Sequence, residues 1–301
     1  MSEPKLHHHL PQSYQAGFCG ADGRLFVFDR ATGKFRKDTP KNVAAVTHDY
    51  TLFRDGEVRD TRVEKFLSEV DGTAVPIAKK LRDRVPLTAD ERQSYAWYIA
   101  FFAVRVPRFR RWLSETETAK RKLHDREYLQ SPAQLQNLID NSGMTDSERA
   151  EANAELMFEM LKSEDYIVTV GHDYGVRLLM EAGCDLMPKV HDIFWIVAHA
   201  AEGAEFITSD NPLVQIGANE AMTFPVAADT ALMLMQAPSG NVHNYDKEMP
   251  ADIVHATNIA TARECERLVL ARDEDYLRRV VEEAGIAGTR PAPLADIGSA
   301  K

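Results

Sequence analysis

Three consecutive histidines near the amino terminus are the first residues of this sequence that could do chemistry. His7, His8 and His9 precede Leu10 and Pro11, and Pro11 biases Leu10 towards an extended backbone. On an extended segment His7 and His9 face one side and His8 faces the other. Because neutral imidazoles bind zinc, iron, nickel or copper, all three are candidate metal ligands. The alternative is a set of histidines that anchor a terminal strand or face solvent.

A short polar stretch, Thr208 to Pro212, stops an apolar run in the last third of the chain. Pro212 disfavours a helical backbone at Asn211, so the chain should turn or run extended there. Ser209, Asp210 and Asn211 then present a hydroxyl, a carboxylate and an amide near a strand end, where functional groups are often held. The alternative is a turn in which the Asp and Ser side chains bind nearby backbone amides.

Glu64 and Arg105 add a second carboxylate and a cation to the candidate site. Glu64 begins a helical pattern, and Arg105 ends an apolar helix that opens at Thr88 with a capping box and stops before Pro107. A cation is favoured at the carboxyl end of a helix. Arg105 therefore either holds an anionic ligand or forms a structural pair with one of three carboxylates. These are Glu64, Glu69 and Asp71.

The periodicity of the remaining chain predicts an α+β fold. Alternating apolar residues from Leu25 to Phe35 predict a hairpin, and the region after Pro188 is again rich in strands. Between them, helical spacing dominates, with a break expected at Gly72 and Pro76 and a second capping box at Thr145. Near the carboxyl end, a short strand is expected at 267–271 and a final helix at about 273–284. We therefore expect a small antiparallel β-sheet built from the N-terminal and C-terminal thirds, with a mainly helical middle. One domain should cover residues 1–284, with a helical subregion at about 59–183 and a flexible tail at 285–301.

Composition limits the classes of function. The chain has 301 residues, 44% of them hydrophobic, and a formal net charge of −10. An acidic chain disfavours broad nucleic-acid binding, although four arginines between Arg105 and Arg111 could form a local basic patch. The cysteine count is 3, which favours reduced thiols. With no recognisable signal peptide and no apolar run long enough for a membrane span, we expect a soluble, cytoplasmic protein; its oligomeric state stays open.

Several short motifs occur in order along most of the chain. They are His8 to Gln12 with Tyr14 and Phe18, Val63 to Leu67, Arg105-Val106-Pro107, Phe206 to Pro212, Phe224-Pro225 and Asn258. Together they resemble an uncharacterised bacterial family, domain of unknown function 4238. The departures are mild: Asp71 stands where a Glu is expected, and the stretch after Phe224-Pro225 lacks a Leu-Ser-Pro form. The resemblance implies a shared fold and a shared polar cluster, and it brings no established activity.

Two hypotheses about function follow. In the first, the chain is a metal-dependent hydrolase, such as a nuclease or phosphoesterase, which uses a divalent transition metal and a small or phosphate-containing substrate. Its residues are His7, His8 and His9 as ligands, Glu64, Arg105 and Asp210 in catalysis, and Gln12, Ser209, Asn211 and Asn258 in substrate binding. In the second, the chain is a non-catalytic ligand- or protein-binding module, and the polar cluster is a structural hydrogen-bond network. The first requires the histidine segment and the Ser-Asp-Asn-Pro segment to be neighbours.

Overall fold

The structure is a computed structural model that describes residues 6–47, 52–54, 58–216, 221–236 and 245–291. The chain divides into two compact units, one of residues 1–109 and 176–301 and one of residues 110–175. The strands are β1 (Leu6–His8), β2 (Leu25–Asp29), β3 (Lys34–Asp38), β4 (Ala45–Thr47), β5 (Leu52–Arg54), β6 (Val58–Asp60), β7 (Phe194–Ala200), β8 (Thr208–Ser209), β9 (Val214–Ile216), β10 (Ala221–Ala227), β11 (Thr230–Met235), β12 (Tyr245–Met249) and β13 (Leu268–Ala271). The α-helices are α1 (Gln12–Gln15), α2 (Arg62–Arg82), α3 (Ala89–Arg105), α4 (Pro107–Tyr128), α5 (Pro132–Asp140), α6 (Asp146–Glu151), α7 (Ala154–Ser163), α8 (His172–Asp192), α9 (Ala251–Arg263) and α10 (Glu274–Ala284).

A four-stranded antiparallel sheet joins the two ends of the chain. Its strand order is β3-β2-β13-β8, so the predicted hairpin β2-β3 pairs with a strand more than two hundred residues later. In this sheet Leu268 lies opposite Asp29, and Val269 lies opposite Ser209. All four residues of β13 are buried, as expected for a central strand whose two faces are both covered.

A second sheet is built from the C-terminal third alone. Its order is β12-β7-β11-β10-β9, with antiparallel pairs throughout except for the parallel pair of β12 and β7. The α+β class is therefore confirmed, whereas the expected single small sheet is in fact two larger sheets, one of them mixed. Two short antiparallel pairs, β1-β4 and β5-β6, complete the strands of the described residues.

Helix α3 lies at the centre of the larger unit. It starts with the predicted capping box, in which the Glu91 amide donates to Thr88 Oγ1 over 3.2 Å and the Thr88 amide donates to Glu91 Oε2 over 2.9 Å. Its side chains Tyr95, Ile99 and Phe102 are buried together in the main core, so an apolar pattern on nearly all sides did indicate a buried helix. Helix α2 packs beside it and is continuous through Gly72 and Pro76, which contradicts the expected break.

The smaller unit, residues 110–175, is mainly helical and has a core of its own. Leu135, Ile139 and Ala154 are buried in this core, and side chains of α5 and α7 pack around them. Asp125 accepts a hydrogen bond from the Tyr166 hydroxyl over 2.8 Å within this unit. Helix α6 begins at the predicted Thr145 capping box, so its amino terminus could be read from the sequence.

Part of the predicted C-terminal tail is held against the larger unit. Gly285 ends α10 with a φ of 68°, a left-handed conformation that glycine adopts readily. The buried Arg30 guanidinium then donates to the Thr289 carbonyl over 3.2 Å and to the Arg290 carbonyl over 2.7 Å. Residues 292–301 lie outside the described residues, and the domain boundaries given above stay a prediction.

Candidate functional site

Asp210 fastens the turn that leads from α9 into β13. Its Oδ1 accepts from the Glu266 amide over 2.9 Å, and its Oδ2 accepts from the Arg267 and Leu268 amides over 2.8 and 3.0 Å. The Asp210 amide in turn donates to the Leu268 carbonyl over 3.0 Å. Only 1% of the residue is exposed, so these bonds fix the edge of the four-stranded sheet from inside the protein.

The environment of this carboxyl acts on its protonation in two opposite ways. Burial raises the pKa of Asp210 to about 7, while the hydrogen bonds from the three backbone amides favour the ionised form and lower it. As a result, the carboxyl group of Asp210, at the edge of the sheet, titrates near neutral pH. Its two oxygens already accept three hydrogen bonds from the chain itself.

The neighbours of Asp210 complete a local turn. The Asn211 amide donates to Ser209 Oγ over 3.2 Å, and Ser209 Oγ donates to the Asn211 carbonyl over 2.9 Å. The Asn211 side chain donates through Nδ2 to the Glu264 carbonyl over 3.1 Å. Both residues are buried, so their polar groups bind the chain, as in the turn alternative stated from the sequence.

Asn258 holds the other end of the same segment. Its Oδ1 accepts from the Ile207 amide over 3.0 Å, and its Nδ2 donates to the Glu205 carbonyl and to the Tyr276 hydroxyl, each over 2.7 Å. The residue is fully buried on α9. The amide therefore ties the strand that leads into Ser209 both to α9 and to α10.

The chain that follows the histidines contacts the residue before Ser209. The Tyr14 hydroxyl on α1 and Thr208 Oγ1 on β8 lie 2.6 Å apart. That the histidines themselves neighbour Asp210, as the hydrolase hypothesis requires, stays a prediction. The neighbouring Gln15 Nε2 donates to the Leu10 carbonyl over 2.7 Å. Gln12 is the first residue of α1 and is exposed. These contacts involve backbone, phenol and hydroxyl groups, and none of them brings two candidate metal ligands together.

The three histidines are held at the strand pair β1-β4. His7 and His8 pair with Val46 and Ala45 through the backbone, and their side chains lie outside the described residues. His9 is buried, and its amide donates to the Ala44 carbonyl over 3.1 Å. Within the part of the chain that the structure describes, no group of three or more His, Cys, Asp and Glu side chains is arranged to hold a metal ion.

Arg105 belongs to a different cluster of contacts. Its guanidinium forms a bidentate ion pair with Asp71 on α2, over 3.0 and 2.7 Å, and stacks 4.7 Å from the centre of the Phe102 ring. The structural pairing that the sequence allowed is thus formed with Asp71. Glu64 lies half-buried in the first turn of the same helix.

A cavity of about 680 Å³ lies beside the segment that Asn258 holds. Its wall comes from the loop after β7, the turn between β10 and β11, and one face of α9 and α10. Volumes of about 300–1,000 Å³ are usual for small-molecule sites. The charged and polar residues of the wall are Glu205, Asp229, His255, Arg272, Asp273, Tyr276, Arg279 and Glu283.

Most carboxylates of this cavity already have a partner in the chain. Asp229 pairs with Arg82 over 2.7 Å. Asp273 caps α10, since its Oδ1 accepts from the Tyr276 amide over 2.7 Å. Glu283 Oε2 lies 2.8 Å from His255 Nε2. Three of the four carboxylates of the wall therefore already bind other groups of the chain.

Glu205 is the remaining carboxylate of the wall. Burial raises its pKa, and the nearby Arg272 guanidinium opposes that rise. One of its oxygens, Oε1, is buried and has no hydrogen-bond partner among the described residues. Glu205 therefore takes up a proton more readily than an ordinary glutamate.

The two arginines of this cavity differ from its carboxylates. Among the described residues, neither Arg272 nor Arg279 forms a salt bridge, and both are exposed. The Arg279 guanidinium lies 5.4 Å from the centre of the Tyr276 ring, a cation–π contact that leaves its N–H groups available. The cavity therefore presents two guanidinium groups that form no salt bridge within the described chain, although Arg272 lies near Glu205 and Asp229.

These cavity residues were missed when the sequence was read alone. The strand and helix on either side of Arg272-Asp273 were both predicted, and an Asp directly before a helix is a common cap. No local signal joins that junction to Glu205 or His255, because the contacts bridge segments about 20 to 70 residues apart. The distribution of charge in this cavity could be found only from the fold.

The fold and the cavity define an α+β protein with a buried polar network and a small-molecule-sized cavity beside it. The chain belongs to the family described as protein of unknown function (DUF4238), whose model matches residues 6–275. The resemblance inferred from the motifs is thereby confirmed. Comparison with curated proteins and with solved structures gave no match. No helix among the described residues is both long and apolar enough to cross a membrane.

Proposed function

We propose that this protein is a ligand-binding module that holds a small oxyanion-bearing molecule, a phosphate or a carboxylate, in the cavity of about 680 Å³. The observation that carries the proposal is the pair of cations, Arg272 and Arg279, that line this cavity without a salt bridge in the described chain. Guanidinium groups match the planar geometry of carboxylate and phosphate oxygens. An oxyanion would give these two guanidinium groups the salt-bridge partner that they lack in the described chain.

The buried polar network supports the cavity from behind. Asn258 donates to the Tyr276 hydroxyl, which lies 3.2 Å from His255 Nδ1. The Tyr276 hydroxyl, which accepts from Asn258, can donate its own hydrogen to His255 Nδ1. In the tautomer that accepts it, His255 Nε2 donates to Glu283 Oε2. A fixed chain of hydrogen bonds thus orients the aromatic wall against which Arg279 lies.

Isothermal titration calorimetry with inorganic phosphate and with citrate tests this proposal. Each charge-assisted hydrogen bond contributes about 1.5–3 kcal/mol, so Arg272→Gln and Arg279→Gln should each weaken binding about tenfold or more. Arg278→Gln is the matched control, because Arg278 is exposed on the same helix and already pairs with Glu274 over 2.6 Å. No binding by the wild type, or equal weakening by all three variants, would show the proposal to be wrong.

The metal-dependent hydrolase stays a second hypothesis with less support. The contact between Tyr14 and Thr208 favours it, since it brings the chain that follows the histidines to the residue before Ser209. Against it, the Asp210 oxygens and the Arg105 guanidinium are engaged within the chain. Metal analysis of protein purified without an affinity tag decides the matter: stoichiometric transition metal, lost in His9→Ala and Asp210→Ala, would favour the hydrolase.

A further inference from the structure

A second cavity, of about 360 Å³, lies between α2, α3, the segment around α1, and β10. It exists because small side chains of one wall stand opposite large ones of the other. Ala74 and Ala78 on α2 leave space in front of Tyr95 and Tyr98 on α3. Gly17 brings the chain close to β10 at one edge, where a Cβ atom would lie 3.0 Å from Ala227 Cβ.

Two phenol groups of this cavity are open to a ligand. Tyr95 and Tyr98 are one helical turn apart and only 1% and 4% exposed, and both line the cavity. Among the described residues, neither hydroxyl has a hydrogen-bond partner. Burial raises the pKa of both phenols above the usual value, so both remain protonated and can donate as well as accept.

The charges around this cavity are all paired, in contrast to those of the larger cavity. A bidentate pair with Arg105 leaves further lone pairs on the Asp71 carboxylate, and Asp71 lies on the cavity wall. With no cation or anion in excess, an ionic ligand gains little from the site, whereas neutral hydroxyl groups can bind both the phenols and the carboxylate. The pairs are Asp71 with Arg105, Lys79 with Asp83, and Arg82 with Asp229.

We infer that the cavity in front of Tyr95 and Tyr98 is a binding site for an uncharged cyclic polyol, either a free monosaccharide or the ribose of a nucleoside. Two phenols and the Asp71 carboxylate provide acceptors and donors for ring hydroxyls, as polar groups do in small-molecule sites. The alanine wall covers the apolar C–H face of a ring. This site differs from the oxyanion site: the two cavities have no wall residue in common, although the Arg82–Asp229 pair joins their walls.

Saturation-transfer NMR on the full chain tests this inference with D-glucose, D-ribose and adenosine as probes. Choline serves as a charged comparison. At least one polyol should receive saturation from the wild-type protein. Because each variant removes one phenol hydroxyl, Tyr95→Phe and Tyr98→Phe should each weaken that binding about three- to tenfold. The control is Tyr128→Phe, since Tyr128 is exposed and lies in the smaller unit. Glucose or ribose binding points to a free sugar, and adenosine alone points to a nucleoside.

Ala78→Leu supplies an independent variant, because it fills the cavity without removing a polar group. It should abolish polyol saturation, while phosphate binding at Arg272 and Arg279 should not change. The melting temperature of each variant confirms that it is folded. Saturation of no polyol, saturation of choline in place of the polyols, or equal polyol signals in the wild type and Ala78→Leu would overturn the inference.

Discussion

Replacement of Asp210 by alanine should destabilise the protein strongly. The change removes the acceptor of three backbone amides, and the Leu268 amide among them is fully buried. An unsatisfied buried donor costs about 1–3 kcal/mol, and each of the two partly buried hydrogen bonds contributes about 0.5–1.5 kcal/mol. We therefore expect the free energy of unfolding to fall by about 2–6 kcal/mol at a pH near 8.

Urea denaturation followed by tryptophan fluorescence measures this loss, since Trp195 is fully buried in the main core. Asp22→Ala is the control: Asp22 also accepts a backbone hydrogen bond, from the Arg24 amide over 3.2 Å, but it is exposed. The control should change stability by less than about 1 kcal/mol. If Asp210→Ala were no less stable than the control, or more stable than wild type as expected for a purely functional residue, the structural role would be refuted.

The dependence of this effect on pH has a definite sign. The pKa of Asp210 is about 7 in the folded protein, against 3.8 for an ordinary aspartate. Between these values the folded state binds more protons than the unfolded state, so this contribution is complete below about pH 4 and is lost as the pH rises through 7. The stability difference between wild type and Asp210→Ala should therefore be larger at about pH 5 than at about pH 8. A difference that grows with pH would contradict the dominance of burial.

Two further predictions concern buried charges elsewhere in the larger unit. Burial disfavours the ionised form of Asp29, but hydrogen bonds from Arg267, Ala31 and Thr32 outweigh the effect of burial and lower the pKa of Asp29. The contribution of Asp29 to stability should therefore be present at neutral pH and lost as the pH falls through that lowered pKa. Carbon NMR titration of the carboxyl group, with Asp29→Asn for comparison, can check this. Arg30→Lys should lower the melting temperature by several degrees, because a single ammonium group cannot reach the carbonyls of Cys265, Thr289 and Arg290 together. Increased amide exchange at Thr289 would accompany that loss, and unchanged exchange would count against the role given to Arg30.

Local signals in the sequence predicted those parts of the fold whose contacts are local. The capping boxes at Thr88 and Thr145 were read correctly because the partner glutamate stands three residues later. The break expected at Gly72 and Pro76 was wrong because α2 packs along α3, and tertiary packing overrides local propensity. The pairing of β2 with β13 could not be located, because no local pattern specifies a partner more than two hundred residues away.

The same distinction separates the polar residues that sequence reading found from those that it missed. Asp210 and Asn258 stand out in the sequence because they interrupt apolar segments, and a polar residue in such a place must satisfy its hydrogen bonds inside the protein. In the fold it does so with backbone groups of distant strands and helices. A ligand at Asp210 would have to displace the three backbone amides that already donate to its oxygens. Arg272 and Arg279 are exposed and carry no such cost. The side chains most conspicuous in the sequence therefore hold the site, while inconspicuous arginines in the cavity wall are the ones available to bind.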